Sequence, residues 1–105
     1  MDATAIVESY IENPDFDVAT FAREMCMSRT LLFTKLKALT GQTPNDFILS
    51  LRLKKATEKL RNDPNALIAD IAFDYGFSNP SYFIRCFKNA YDITPAAYRR
   101  KYANS

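Results

Sequence analysis

The chain has 105 residues, 48% of them hydrophobic and 25% charged, which is typical of a globular domain with one shared core. The formal net charge of +2 is too small to indicate a nucleic-acid partner, and the presence of only two glycines favours helices over tight β-hairpins. Two cysteines without a histidine argue against a zinc site, so we expect no cofactor. The lack of a long apolar run or a signal-like start predicts a cytoplasmic domain.

The first part of the chain is predicted to form three helices separated by clear breaks. An apolar stripe over residues 6–11 indicates a first helix, which ends before Pro14. Asp17 is a suitable N-cap for the second helix, because its short carboxylate can accept a backbone N–H bond. Ser28 is a suitable N-cap for the third helix, which is predicted to end at Gly41.

The remainder is predicted to form four helices, the first of them long. Pro44 suits the first turn of this long helix, which spans about 45–61. Shorter helices are predicted at about 66–75, 81–91 and 95–102, separated by turn residues. The predicted fold class is therefore all-α, with seven helices.

An internal repeat organises these helices. A shift of 50 residues aligns two sets: Val18, Ala19, Phe21, Ala22, Glu24, Met27 and Ser28 with Ile68, Ala69, Ile71, Ala72, Asp74, Phe77 and Ser78. After one extra residue, a shift of 51 aligns two more: Leu32, Leu36, Lys37, Thr43, Pro44 and Phe47 with Phe83, Phe87, Lys88, Thr94, Pro95 and Tyr98. Each copy thus consists of a helix, a short turn, a second helix and a Thr-Pro that starts another helix.

This pattern is typical of a helix-turn-helix, in which a small residue lets two helices cross closely. Ala22 and Ala72 supply the small residue. Gly76 suits a turn position with positive φ, and Cys26 would be strained at the matching position of the first copy. We expect Cys26 and Cys86 to be buried thiols. The predicted units are 17–41 and 66–91, joined by the linker helix 45–61 and followed by the C-terminal helix 95–102 of a single domain, 1–105.

The second helix of each copy has one predicted buried face and one outward face. The buried faces comprise Leu32, the stem of Lys35, Leu36 and Leu39 in the first copy and Phe83, Cys86, Phe87 and Ala90 in the second. Hydroxyl, cationic and apolar side chains lie on the outward faces, and this combination suits base edges and phosphates in a major groove. The candidate DNA-binding residues are Arg29, Thr30, Phe33, Thr34 and Lys37 in the first copy and Asn79, Pro80, Ser81, Ile84, Arg85 and Lys88 in the second.

Within this set, Arg85 is the sharpest candidate, because its planar guanidinium can bond guanine in two places. Two alternatives stay open for the others. Lys37 and Lys88 are also compatible with solvated charges or phosphate contacts, which position a protein without specifying a sequence. Phe33 and Ile84 are equally compatible with a place at the edge of the core.

The charges are unevenly distributed along the chain. The segment 29–61 carries the basic residues Arg29, Lys35, Lys37, Arg52, Lys54, Lys55, Lys59 and Arg61 against the acids Asp46 and Glu58. Acids crowd the N-terminal quarter, and a second basic run lies at 99–101. A basic middle is compatible with a polyanionic partner. Taken alone, it is equally compatible with a solvated helix face.

Several motifs resemble the DNA-binding domain of the AraC/XylS family of bacterial transcription regulators. The most specific are Ile71, Ala72, the stretch 76–83, Phe87, Lys88, Thr94, Pro95, Tyr98 and Arg99. In the middle helix, Arg52, Leu53, Ala56 and Leu60 resemble the linker helix of the family. The stretches 27–29 and 35–44 are similar to the output domains of hybrid two-component regulators, in which sensor, kinase, receiver and DNA-binding parts share one chain.

The resemblance implies sequence-specific binding of double-stranded DNA, with two recognition helices in successive major grooves. It also implies that the domain belongs to a parent chain with fused sensor and receiver domains. This parent is expected to be anchored in the inner membrane, to dimerise and to contact RNA polymerase. The sequence departs from the family pattern at two places. Asp92 replaces the usual glycine before the Thr-Pro, and Phe33 with Thr34 replaces a more polar pair, so we expect the first unit to rely on apolar thymine contacts.

Other functions are less compatible with the sequence. A helical protein-interaction module using the same outward faces is the main alternative, and it predicts no salt-dependent DNA binding. An RNA-binding function would require an aromatic stacking platform, which the pattern does not indicate. We expect no enzymatic activity, because the chain has no histidine, no Gly-rich phosphate loop and no evident carboxylate pair.

Overall fold

The computed structural model of the protein describes residues 2–102, and within that range it consists of seven α-helices without a β-strand. The helices are α1 (Ala3–Ser9), α2 (Val18–Glu24), α3 (Arg29–Thr40), α4 (Pro44–Asn62), α5 (Ile68–Asp74), α6 (Pro80–Tyr91) and α7 (Pro95–Tyr102). Helices α2 and α3 form one helix-turn-helix unit, and α5 and α6 form the other. The predicted all-α fold with two such units and a long linker helix is confirmed.

Local capping explains where most of these helices begin. The side chains of Asp2, Asp17, Ser28, Thr43, Asn79 and Thr94 accept hydrogen bonds from backbone N–H groups two or three residues ahead. The predicted caps Asp17 and Ser28 are among them. Backbone and side-chain bonds from Thr20 lower the pKa of the Asp17 carboxyl below its ordinary value. Helix α5 is different, because its N-cap is Leu67, which makes no side-chain cap bond.

The buried apolar residues form two clusters, so the expectation of one shared core is wrong for the described residues. The first cluster comprises Ile6, Val7, Ile11, Phe16, Phe21, Ala22, Leu32, Leu36, Phe47 and Ile48. The second comprises Leu53, Ala56, Leu60, Ile71, Ala72, Phe77, Phe83, Cys86 and Phe87. Helix α4 has 19 residues, which makes it about 28 Å long, so its two ends reach different sets of helices.

Four of the residues that the structure describes have positive φ, and they occupy equivalent places in the two copies. Cys26 (φ 58°) and Gly76 (φ 87°) lie in the turns between the paired helices, as the repeat predicts. Gly41 (φ 77°) and Asp92 (φ 67°) end α3 and α6. Cys26 is exposed and Cys86 is buried, so the prediction of a buried thiol is wrong for Cys26. Its side chain belongs to a tight surface turn and not to a helix face that packs on the core.

Three residues of the predicted buried faces are also solvent-exposed, namely Lys35, Leu39 and Ala90. Leu39 is 83% exposed, and Ala90, its counterpart in the second copy, is exposed as well. Both lie in the last turn of their helices, beyond the core residues Leu36 and Phe87. Helical periodicity assigns them to the buried side, but the core does not extend far enough to cover them.

Candidate nucleic-acid interface

Helices α3 and α6 present equivalent residues to solvent. Their N-caps, Ser28 and Asn79, are 51 residues apart, so the alignment of Ser28 with Ser78 is wrong and Ser78, in the turn before α6, is the extra residue of the second copy. The same shift relates the predicted site residues in five pairs: Arg29 with Pro80, Thr30 with Ser81, Phe33 with Ile84, Thr34 with Arg85, and Lys37 with Lys88. Of these ten residues all but the half-buried Pro80 are exposed. The sequence-predicted residues therefore form two matched surfaces.

On α3, the outward face combines an exposed aromatic ring with groups that are already hydrogen-bonded within the protein. The side chain of Phe33 is 48% exposed and borders a shallow groove with Val18 and Pro44, so it is not a core residue. Thr34 Oγ1 donates to the carbonyl of Thr30 at 3.0 Å, which leaves its oxygen as an acceptor. Lys37 Nζ donates to the carbonyl of Gly41 at 3.1 Å, so the ammonium lies near the end of the helix.

On α6, the equivalent face carries a guanidinium in place of the Thr34 hydroxyl. The Arg85 guanidinium lies 5.7 Å from the centre of the Tyr82 ring, within the range of a cation–π contact. Ile84 is 38% exposed, which also places it outside the core. Asn79 Oδ1 accepts a bond from the Tyr82 backbone N–H at 2.8 Å, while the amide NH₂ of Asn79 remains a possible donor.

Two exposed residues beside this face were not predicted. Leu31 and Tyr82 are about equally exposed and occupy the same position in α3 and α6. The repeat could have indicated them, because the shift of 51 residues aligns the large apolar side chain of Leu31 with the aromatic side chain of Tyr82. Helical periodicity alone does not separate them from the core residues that follow, Leu32 and Phe83.

The basic residues of the linker helix largely interact within the protein. Lys55 Nζ lies 3.6 Å from the Glu8 carboxylate and 3.8 Å from that of Glu58, and Lys59 Nζ lies 3.4 Å from Asp63. Residues 2–102 contain no ion pair that involves the cations of the two outward faces, which are Arg29, Lys37, Arg85 and Lys88. The positive charge available to a partner therefore lies on α3 and α6 more than on α4.

Among the described residues, no group of three or more cysteine and carboxylate side chains is arranged to hold a metal ion. None of the helices in the same range has the length and apolar character that crossing a membrane requires.

Two helix-turn-helix units that share one long helix define the class of this protein as a double helix-turn-helix domain. A family model described as a helix-turn-helix domain matches residues 21–101, so the chain belongs to this family, which is of the AraC/XylS type. The resemblance stated from the motifs is confirmed. The chain is a DNA-binding domain of the AraC-type transcription regulators.

Particular relatives agree with this assignment. Histidine kinase P4 of Formosa agariphila is 42% identical over 101 residues, which are 96% of this chain and 7% of that protein. The C-terminal domain of the two-component response regulator yesN of Fusobacterium nucleatum superposes with a TM-score of 0.83 at 29% identity, covering 92% of this chain and 93% of that one. The DNA-binding domain of AdpA, solved with a target DNA, gives a TM-score of 0.82 at 27% identity, with coverages of 97% and 94%.

Proposed function

We propose that α3 and α6 enter successive major grooves on one face of a DNA duplex and that both read base edges. The observation that carries this proposal is the matched exposure of the two helices, whose outward residues occupy equivalent positions and whose cations have no ion-pair partner within residues 2–102. The linker helix has a suitable length of about 28 Å, since successive major grooves on one face are about 34 Å apart.

The side chains have different roles in this proposal. Arg85 donates to a guanine edge, and the Tyr82 ring beside it limits the freedom of its guanidinium. Phe33 and Ile84 contact thymine methyl groups. Lys37 and Lys88, near the ends of their helices, contact phosphates. The other proposed contacts come from Arg29, Thr30, Thr34, Asn79, Pro80 and Ser81.

We also propose that the parent protein is a hybrid two-component regulator of which this chain is the output domain. The support is the similarity to a histidine kinase, of which the chain spans only 7%, and to a domain of a response regulator. In such a parent, phosphorylation of a fused receiver would pair two copies and raise the affinity for DNA. The parent would be anchored in the inner membrane, the domain would lie in the cytoplasm and contact RNA polymerase, and it would have no enzymatic activity of its own.

The DNA proposal is tested by selecting binding sites from a pool of random duplexes and measuring affinity by fluorescence anisotropy at two salt concentrations. We expect two enriched motifs about ten base pairs apart and an affinity that falls steeply with salt. The variants Arg85→Ala and Arg85→Lys separate base reading from phosphate contact. Both should lose roughly tenfold or more in discrimination at one position of the second motif, because lysine keeps the charge without the planar fork.

The possible outcomes separate the proposal from its alternatives. If Arg85→Lys keeps full discrimination, Arg85 does not read a base. Enrichment of a single motif would show that only one of the two helices reads sequence. If the domain binds no duplex even at low salt, DNA binding by the isolated domain is wrong. The protein-interaction module that uses the same outward faces would then take its place, and the exposed apolar residues of those faces, Phe33 and Ile84, would be the first to test.

A further inference from the structure

Arg52, in the middle of the linker helix, connects the segment between α1 and α2 with the turn of the second helix-turn-helix unit. Its Nη2 donates to the carbonyl of Asn13, 39 residues away, at 2.7 Å, in the segment between α1 and α2. Its Nη1 donates to the carbonyl of Gly76, 24 residues away, at 3.2 Å, in the turn between α5 and α6. One guanidinium therefore bonds to the turn of the second unit and to a segment whose residues Ile11 and Phe16 pack with the first unit in the first cluster.

Few other contacts connect the two units. The main helix–helix contacts lie among α1, α2 and α3, among α5, α6 and α7, or with α4, and the two hydrophobic clusters have no buried residue in common. Among the partly buried residues, Tyr75 packs against both clusters. The orientation of α3 relative to α6 therefore depends on α4 and on a small number of contacts across the cleft between the units.

The backbone around Arg52 is closely fitted to its guanidinium. The side chain borders this cleft, whose volume is about 500 Å³ and whose lining includes Phe16 and Phe77. A Cβ atom on Gly76 would lie 2.7 Å from Arg52 Cζ, so a side chain at this position would displace the guanidinium, and the positive φ of Gly76 also favours glycine. Partial burial lowers the pKa of Arg52 below its ordinary value, although arginine stays protonated in proteins.

We propose that Arg52 is a positioning residue that sets the orientation of α3 relative to α6 and thereby the spacing between the two DNA motifs that the domain accepts. The proposal rests on the proposed function, because spacing matters only if both helices read DNA. Arginine suits this role, since the two Nη groups of its rigid planar fork can bond separate carbonyls, whereas the ammonium of lysine is a single point on a flexible chain.

The first experiment measures the spacing preference of the wild type, Arg52→Met, Arg52→Lys and the control Lys54→Met. Lys54 lies exposed on the same helix and makes no ion pair within residues 2–102, so its removal changes the charge without breaking a bond between units. The probes are duplexes that carry both selected motifs at the optimal spacing, duplexes with one or two base pairs inserted or removed, and duplexes with one motif.

For both Arg52 variants we expect the preference for the optimal spacing to fall by about tenfold, because a less rigid connection lowers the effective concentration of the second helix at its site. Affinity for a single motif should change by less than about twofold, since neither reading face is altered. Lys54→Met should keep the spacing preference. An unchanged preference in the Arg52 variants would overturn the proposal. A uniform loss on every duplex would do the same, because it would assign Arg52 only a structural role.

A second experiment tests the orientation without DNA, so it remains decisive if the domain binds no duplex. Spin labels are attached to cysteines introduced at Leu39 and Leu67, which are 83% and 65% exposed and lie in different units, after Cys26→Ser and Cys86→Ala. Pulsed electron paramagnetic resonance should give one narrow distance distribution for the parent and Lys54→Met. Arg52→Lys should broaden or shift that distance distribution. Arg52→Met should do the same, provided that its thermal transition shows that it is folded. A distribution identical to that of the parent contradicts the proposal.

Discussion

Between residues 2 and 102, two residues other than glycine occupy the left-handed region, where glycine is normally preferred. Cys26 stands where the second copy has Gly76, and Asp92 stands where the first copy has Gly41. Each copy therefore has glycine at one of the two positions and carries strain at the other. Asp tolerates this region better than most residues, because its short side chain bonds locally, so the larger strain is expected at Cys26.

We predict that Cys26→Gly stabilises the domain. Relief of left-handed strain contributes about 1 to 2 kcal/mol, and the greater freedom of glycine in the unfolded chain offsets roughly 0.5 to 1 kcal/mol of it. The expected net gain in the free energy of unfolding is therefore about 0.5 to 1 kcal/mol, measured by urea denaturation. Cys26→Ser is the control, since it removes the exposed thiol and keeps a Cβ atom. A loss of stability in Cys26→Gly would show that the thiol itself contributes.

At the scale of the helices, the cap of α6 combines a structural bond with a proposed DNA contact. Asn79 accepts the Tyr82 backbone N–H, and Pro80 follows as the first helical residue. A cap bond of this type stabilises a helix by about 1 kcal/mol. The position is important for the proposed interface, because the first turn of α6 places Ser81 and leads to Ile84 and Arg85.

We predict that Asn79→Ala lowers the free energy of unfolding by about 1 kcal/mol, whereas Asn79→Ser changes it by only a few tenths, because serine can make the same cap bond. Denaturation measures the stability of each variant. Binding to the selected duplex then reports on the second role of the side chain. If Asn79 donates to DNA through its amide, Asn79→Ser will be stable but will bind more weakly. Equal stability of the alanine variant and the wild type would exclude the capping contribution.

The positions of the helices could be predicted from the sequence because caps and breaks act locally. Asp17, Ser28 and Pro44 determine where helices begin through bonds or dihedral preferences within a few residues. The exposure of Leu39 could not be predicted in this way, since it depends on which elements cover the last turn of α3. The two bonds of Arg52 span 24 and 39 residues, and no local pattern indicates their acceptors.

The repeat was more informative about the candidate site than the charges were. The shift of 51 residues relates the predicted residues of α3 to those of α6, and the structure presents both sets on exposed helix faces. The basic middle of the sequence was a poorer guide, because Lys55 and Lys59 pair with acids of the same chain. The cations that remain available to a DNA partner depend on the fold, because tertiary contacts decide which of them form ion pairs. Lys55, for example, pairs with Glu8 of another helix.

At the scale of the whole molecule, two hydrophobic clusters share one long helix. The domain measures 41 × 23 × 23 Å, an elongated shape that agrees with two units arranged along α4. Leu32 and Phe83 are equivalent residues, 1% and 0% exposed, that belong to the first and second clusters. They offer a matched pair of substitutions that tests whether the two units unfold together.

We predict that each substitution lowers the stability of its own unit more than that of the other. Leu32→Ala should cost about 2 to 5 kcal/mol and Phe83→Ala about 3 to 5 kcal/mol, because each leaves a cavity in a closely packed cluster. In native-state hydrogen exchange, Phe83→Ala should reduce the protection of α5 and α6 amides while α2 and α3 remain protected, and Leu32→Ala should do the reverse. The amide protection of α4 should fall in only one half of the helix in each variant. Phe47 and Ile48 of the first half pack in the first cluster, whereas Leu53 and Leu60 of the second half pack in the second. If either variant lowers amide protection equally in all helices, the two units unfold cooperatively. The contacts across the cleft, including those of Arg52, would then couple the units more strongly than their separate cores indicate.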